Sequence, residues 1–304
     1  MKRDDLISPL YGGNKVRRYE YILADARASG KTRLVTVGGL ASTQAMATTL
    51  FGRALGFAVT LVLFDQPITD FARESVRGFL SEGADVVYGG GYLQTAWKAY
   101  RAARGEDRYF IMPGAANARA NLGYVDAMLE LSGQVERGEC PRPDVIVLPT
   151  GSAGTLAGLA LGAAHLGWST EIIGVRITSA IVCNRVTVGN VIRKTDGWLV
   201  HREARWKPMR DRVRYSLFGA ALGDGYGAPT ADAIEGAEQM QVLTGVKGEV
   251  TYSGKALAAL RAIVAERPTA NVLLWNTLST VRPSKREPAI PEALAWMFEC
   301  STVA

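Results

Sequence analysis

The sequence predicts an α/β fold of two domains, each a parallel sheet covered by helices on both faces. Two observations predict it. Short β-branched runs alternate with longer alanine-rich stretches of helical period, an order that favours parallel strands joined by crossover helices. The glycine- and proline-rich patches fall at the turns between these runs, and no internal repeat, low-complexity segment or interdomain linker interrupts them. A chain of 304 residues can bury one large or two mid-sized cores.

In chain order, Val16–Ala26 reads as a helix, Thr32–Gly39 as a strand and Ser42–Leu55 as a helix. Ala58–Phe64 is the next strand, with a helix over Ile68–Ser81. ADVVYGG and RYFIMPG read as strands closing on glycine, with a helix over Gln94–Arg104 between them. A helix follows over Asn121–Val135, then a strand over Asp144–Thr150, a helix ending near Leu166 and a strand over Glu171–Ile177. Beyond Arg176 the pattern is less regular: helices are expected over Thr230–Leu243 and Gly254–Glu266, and a buried strand over Asn271–Thr277.

Composition narrows the chemistry. The 48% hydrophobic and 21% charged fractions are ordinary for a globular protein. No run reaches the roughly 18 apolar residues of a membrane span, and the opening Met1-Lys2-Arg3-Asp4-Asp5 lacks the apolar core of a secretory signal. A soluble cytoplasmic enzyme with no membrane partner is the expectation. Cys140, Cys183 and Cys300 share no short spacing, which argues against a disulfide framework or a CxxC site. With only His165 and His201, a histidine-built metal site is nearly excluded and a Ser/His/Asp triad is weakened, so no metal is expected. Much of the +6 net charge lies between Arg193 and Arg214, with Trp198 and Trp206 among the cations. No nucleic-acid-binding motif accompanies that segment, so a solvated surface or subunit contact is expected in place of a nucleic-acid partner; the cations could also draw small carboxylates toward a cleft.

Three glycine-rich elements carry the candidate chemistry. Thr150-Gly151-Ser152-Ala153-Gly154-Thr155 joins a strand to the helix that follows. Its backbone N–H groups would suit a phosphate, with Ser152 and Thr155 adding hydroxyls, although a tight strand-to-helix turn needs glycine in any case. It lacks the P-loop lysine and the G-x-G-x-x-G spacing, and Gly89-Gly90-Gly91 has no acidic residue at a dinucleotide-site distance. Gly12-Gly13-Asn14-Lys15 sets a lysine at a helix N-terminus, where the dipole opposes its charge and lowers the amine's pKa, as a Schiff-base lysine requires; a surface lysine on a loop is the plainer reading. Gly38–Gln44 is a third strand-to-helix turn, in which Ser42 and Thr43 serve as N-cap residues or as donors to a substrate carboxylate.

KRDDL (Lys2–Leu6), GGNKVRRYEYILADA (Gly12–Ala26), TVGG followed by Ser-x-Gln, GSAGTLAGL, GDGYGAP (Gly223–Pro229) and TYSGKA (Thr251–Ala256) occur in one order. Together they resemble the fold-type II pyridoxal-phosphate enzymes, in the D-cysteine desulfhydrase and 1-aminocyclopropane-1-carboxylate deaminase group. The resemblance covers nearly the whole chain and implies two tryptophan-synthase-β-like domains, a smaller one over 16–122 and a larger one built from 1–15 plus 123–304. Lys15 would lie at their boundary. It also implies a homodimer and pyridoxal 5'-phosphate as cofactor.

By that resemblance Lys15 carries the cofactor as a Schiff base, Asn14 helps hold it, and Gly151, Ser152, Ala153, Gly154 and Thr155 cradle its phosphate. Ser42, Thr43 and Gln44 would meet the substrate carboxylate, with Thr43 also near the phenolic oxygen. Tyr226 and Tyr252 would face the substrate, and Ser253 would stand beside the pyridine nitrogen. The implied reaction is β-elimination from a small amino acid such as D-cysteine, giving pyruvate and ammonia. Cyclopropane ring opening, β-replacement and cofactor binding without turnover are the alternatives, and a nucleotide-binding α/β protein is the reading from another class.

Three departures from the family pattern stand out. Ala41-Ser42-Thr43-Gln44 replaces the family's Gln-Ser-Asn-His or Gln-Ser-Asn-Gln, and Trp275-Asn276-Thr277-Leu278-Ser279 replaces a His-Thr-Gly-Gly-like run, changing the expected pocket wall. The chain also begins where relatives already have a longer leading segment, so this version either lacks that segment or is truncated.

Overall fold

The computed structural model describes residues 1–115, 117–281 and 287–299. Its regular elements are β1 (Lys2–Arg3), α1 (Asn14–Ala28), β2 (Arg33–Gly39), α2 (Thr43–Ala54), β3 (Ala58–Phe64), α3 (Asp70–Ser81), β4 (Asp85–Gly90), α4 (Tyr92–Ala103) and β5 (Arg108–Ile111). These are followed by α5 (Leu122–Glu136), β6 (Val145–Thr150), α6 (Gly154–His165), β7 (Glu171–Arg176), α7 (Arg185–Arg202) and β8 (Tyr215–Phe218). The chain then runs through α8 (Ala231–Thr244), α9 (Ser253–Glu266), β9 (Val272–Asn276) and α10 (Glu292–Glu299).

The chain forms two compact units, one from Met1–Ile7, Gly12–Tyr21 and Ala116–Thr280, the other from Ser8–Tyr11, Ile22–Ala115 and Val281–Ala304. The expected smaller domain ran over 16–122, whereas residues 16–21 and 117–122 here group with the larger unit. The larger unit holds a sheet of order β1-β9-β6-β7-β8 and the smaller one of order β4-β3-β2-β5. Every paired strand in both is parallel.

Parallel strands covered on both faces must be apolar on both. In the larger unit β6 is buried at every position, and in the smaller unit the interior of β3 is buried throughout. Helix α6 is buried from Gly154 to Ala164, as expected of a helix that is apolar all round. Its glycines bring it close to α5: a Cβ at Gly158 would run into Tyr124, and one at Gly162 into Met128.

Helix α7, β8 and α10 were not anticipated. Helix α7 opens on a capping box in which the Asn184 side chain accepts from the backbone at Val186 and Thr187 while the Thr187 hydroxyl accepts the Asn184 N–H; Asn184 followed by Thr187 was the overlooked signal. The aromatic residues of the basic stretch are engaged internally. Trp206 stacks on His165 at 4.5 Å and donates to Asp196, and Trp198 lies beneath the guanidinium groups of Arg119 and Arg202. Cys183 is buried and Cys140 half-buried, both as free thiols, while Cys300 lies outside the described residues. Among the described residues no helix is long and apolar enough to cross a membrane, and no group of acidic, histidine or cysteine side chains could hold a metal ion.

Candidate active site

The larger unit gathers most of the candidate residues, beginning with its first strand. Pairing of Lys2 with Trp275 and Arg3 with Asn276 sets Asp4 and Asp5 beside the end of β9. Both carboxylates are buried. Asp4 pairs with Arg17 at 2.9 Å and accepts from the Tyr124 hydroxyl at 2.7 Å and the Trp275 indole at 2.8 Å. Asp5 takes Arg3 in a fork and accepts from Asn276 at 2.8 Å. A buried carboxylate is tolerated only when its oxygens are satisfied in this way.

These partners position the glycine turn ahead of α1. Gly13 N–H donates to the Asp4 carbonyl at 2.7 Å, Asn14 N–H to the Thr277 carbonyl at 3.0 Å, and Gly12 N–H to the Ser279 hydroxyl at 2.9 Å. A Cβ at Gly12 would overlap the Asp5 carbonyl, and Gly13 adopts φ +85°, so both positions require glycine. The run Trp275–Ser279, which departs from the family pattern, thus buttresses the lysine turn from behind.

Lys15 is the second residue of α1 and is buried. Burial foremost, with the nearby charge of Arg18 second, lowers its pKa to about 7. Its Nζ donates to Asn14 Oδ1 at 2.7 Å, and Asn14 Nδ2 donates to Thr155 Oγ1 at 3.3 Å. Arg18, one turn further along α1, also donates to Thr155 Oγ1, at 3.0 Å. Arg18 is 2% exposed, and burial brings its pKa down to about 10.

The turn into α6 has an unusual start. Its N-cap, Ala153, sits in the left-handed region at φ +62° and gives the helix no side-chain cap. The first N–H groups of α6 therefore lack the usual hydroxyl or carboxylate acceptor. Gly154 leaves room for Arg18 and Asn121: a Cβ there would overlap Arg18 Nη2 and Asn121 Oδ1. Asn121 is 1% exposed, donates to Thr195 at 2.9 Å, and has no hydrogen-bond partner for Oδ1. An open helix N-terminus and a buried guanidinium fit an oxyanion such as a phosphate group. The buried, deprotonable Lys15 linked to that turn through Asn14 fits the carbonyl of a phosphate-bearing aldehyde. Arg18 and Asn121 were missed in the sequence, although Arg18 occupies the same helix face as Lys15, three residues on.

Comparison with known proteins shows the family. Residues 1–277 match the model of the family described as pyridoxal-phosphate dependent enzyme. The chain belongs to that family. Pyridoxal phosphate is therefore its cofactor, and the buried lysine and open turn are the features that fit it. A Pyrococcus horikoshii protein named as a putative 1-aminocyclopropane-1-carboxylate deaminase is 30% identical over 264 residues, 86% of this chain and 77% of its own length. A Pyrococcus abyssi protein of the same name is 28% identical over the same shares. A crystal structure described as an ACC deaminase homologue superposes with a TM-score of 0.76 at 27% identity, over 93% of this chain and 84% of that one. An L-serine ammonia-lyase from Rhizomucor miehei, 16% identical with a TM-score of 0.63 over 92% of this chain and 88% of its own, shares the fold.

The larger unit carries the remaining candidates on a second loop. The Tyr226 and Tyr252 hydroxyls lie 2.6 Å apart with their rings edge to face. Tyr226 belongs to a loop whose glycines Gly223, Gly225 and Gly227 all have positive φ. Fully buried Lys255 clamps that loop by donating to the Leu222 carbonyl at 2.7 Å. Ser253 opens α9, and among the described residues its hydroxyl meets Glu249: it accepts the Glu249 N–H at 2.8 Å and faces the Glu249 carbonyl at 3.1 Å and carboxylate at 3.3 Å. The Glu249 carboxylate in turn accepts the backbone N–H groups of Thr251, Tyr252 and Ser253.

Ser42, Thr43 and Gln44 lie in the smaller unit at the start of α2. Ser42 caps its own helix by accepting the Ala45 N–H at 3.2 Å. Gln66 accepts the Ala41 N–H at 3.0 Å and fixes the loop from the side. Gln44 is buried, and its amide donates to Thr36 at 2.7 Å and to the Met112 carbonyl at 3.0 Å.

Proposed function

We propose that this chain is a pyridoxal-phosphate-dependent lyase that removes ammonia from a small amino acid, with β-elimination from a substrate such as D-cysteine as its principal reaction. The observation that carries the reading is Lys15, a buried amine with a pKa of about 7 tied through Asn14 to an uncapped helix turn. In this reading Lys15 holds the cofactor, and Gly151 through Thr155, with Arg18, receive its phosphate. Asn14 and Thr43 contact the cofactor, and Ser253 stands at its ring nitrogen. When bound, pyridoxal phosphate supplies an electron sink for charge left on a substrate's α-carbon.

The side chains do the rest. An amine with a pKa of about 7 is half neutral near pH 7 and can take the α-proton as general base. The paired phenols of Tyr226 and Tyr252 place a donor and an acceptor within one hydrogen bond, suited to handing a proton to a leaving group. Ser42 and the first N–H groups of α2 orient the substrate carboxylate, together with Thr43 and Gln44.

Ser253 favours elimination over ring opening. A carboxylate at a pyridine nitrogen keeps it protonated and strengthens the sink. Here the contacting group is a hydroxyl, and the nearest carboxylate, Glu249, is occupied by three backbone N–H groups. A weaker sink suffices when a β-substituent departs readily, and serves poorly for a cyclopropane lacking an α-proton.

The second reading is 1-aminocyclopropane-1-carboxylate deamination, favoured by the names of the two Pyrococcus relatives. An assay of keto acid and ammonia release from a panel of amino acids separates them. D-Cysteine or β-chloroalanine should yield pyruvate; faster keto-acid release from the cyclopropane substrate would establish the second reading, and no release from any substrate would leave a binding protein. The resemblance also carries a cytoplasmic homodimer, which sedimentation analysis and cell fractionation would test.

A further inference from the structure

Lys15 and Arg18 lie three residues apart on α1, both buried, and both hydrogen-bond chains that leave them end on the same atom, Thr155 Oγ1 in the first turn of α6. The other charged groups of the larger unit near Lys15 are already matched. Asp4 is held by Arg17, Tyr124 and Trp275, and Asp5 by Arg3 and Asn276. Tyr124 is pushed well above the usual phenol range, chiefly by burial, and stays neutral. From α6 and the end of β9 come only uncharged groups, Thr155 and the Thr277 carbonyl. The charge that bears on the amine is that of Arg18.

We propose that Arg18 couples the two halves of the cofactor site, adding to the burial that keeps Lys15 neutral while the α6 turn is empty and ceasing to oppose its protonation once an oxyanion is seated there. The inference rests on the reading of that turn as the phosphate site. Two positive charges close together in a desolvated pocket disfavour each other, and an anion between them reverses the sign. With the turn filled, the same amine is a stronger proton acceptor, as a base in turnover should be.

The test uses the full-length chain freed of cofactor, with inorganic phosphate as probe. Competitive labelling by acetic anhydride, read by mass spectrometry on the Lys15 peptide, gives the amine's titration midpoint; phosphorus NMR reports binding. Saturating phosphate should move the midpoint up by about one pH unit or more. Arg18→Met should raise the midpoint without phosphate and remove the response, and Arg18→Lys should restore both. Phosphate that binds without moving the Lys15 midpoint, phosphate that fails to bind, or an Arg18→Met protein that still responds would each overturn the coupling. Attachment of pyridoxal phosphate at a lysine other than Lys15 would instead overturn the underlying reading of the site.

Discussion

The turn from β2 into α2 and the turn from β6 into α6 look alike as sequence, each a buried strand running into glycine and then a small hydroxyl residue. Their chemistry differs. At the first, Ser42 closes the helix with its own oxygen, and Gln66 pins the loop. At the second, Ala153 takes a left-handed conformation and offers no cap, and Gly154 leaves room for Arg18. A helix start with a side-chain cap keeps fewer free N–H groups for an anion than one without. The same grammar thus yields a self-capped turn in one unit and an uncapped, candidate phosphate turn in the other.

The sharpest way to break this contrast is to remove the lysine that serves the open turn. Lys15→Ala should abolish covalent cofactor attachment, read by borohydride reduction and peptide mapping. A pyridoxyl label on Lys31, Lys98 or Lys255 of the intact protein would overturn the assignment; Lys255 is already committed to the Leu222 carbonyl. Next in size is Gly154→Asp, which drives a side chain into Arg18 and Asn121 and sets a carboxylate where an anion should bind. Cofactor occupancy should fall to background while circular dichroism stays native, and full occupancy in a folded variant would place the phosphate elsewhere.

A pH series sharpens the comparison without mutation. The folded pKa of Lys15 lies below its ordinary value, at about 7, so the neutral amine gains population as pH rises. Below that value the rate of cofactor capture by the cofactor-free protein should climb about tenfold per pH unit, and it should level off above. A flat profile between pH 5 and 8 would mean that the amine is not the titrating nucleophile. The smallest effect belongs to the self-capped turn. Ser42→Ala should cost about 1 kcal/mol of stability through the lost cap, seen as a lower urea midpoint, and should leave cofactor affinity nearly unchanged. A large loss of affinity would show that the two turns are less different than their caps suggest.

Much of this was legible in the sequence. The strand and helix order up to Arg176, the glycine requirement before Lys15 and the turn before α6 follow from local patterns, because strand burial, helix period and positive φ are properties of short segments. The resemblance to the family rests on six short motifs in a fixed order, which a linear reading can find. What it could not find were residues whose role comes from partners far along the chain.

Asp4 and Trp275 are 271 residues apart, yet one hydrogen bond joins them behind the lysine turn. Arg18 reads as one more cation on an amphipathic helix until Gly154 and Asn121 close around it. Ser253 reads as a free hydroxyl until Glu249 is found holding it. The sequence by itself determined most of the elements up to Arg176, the parallel sheets and the candidate lysine. Tertiary structure alone decided how buried that lysine is, which cation faces it and which helix start was left open, since desolvation and Coulomb interactions depend on distances that the order of residues does not encode.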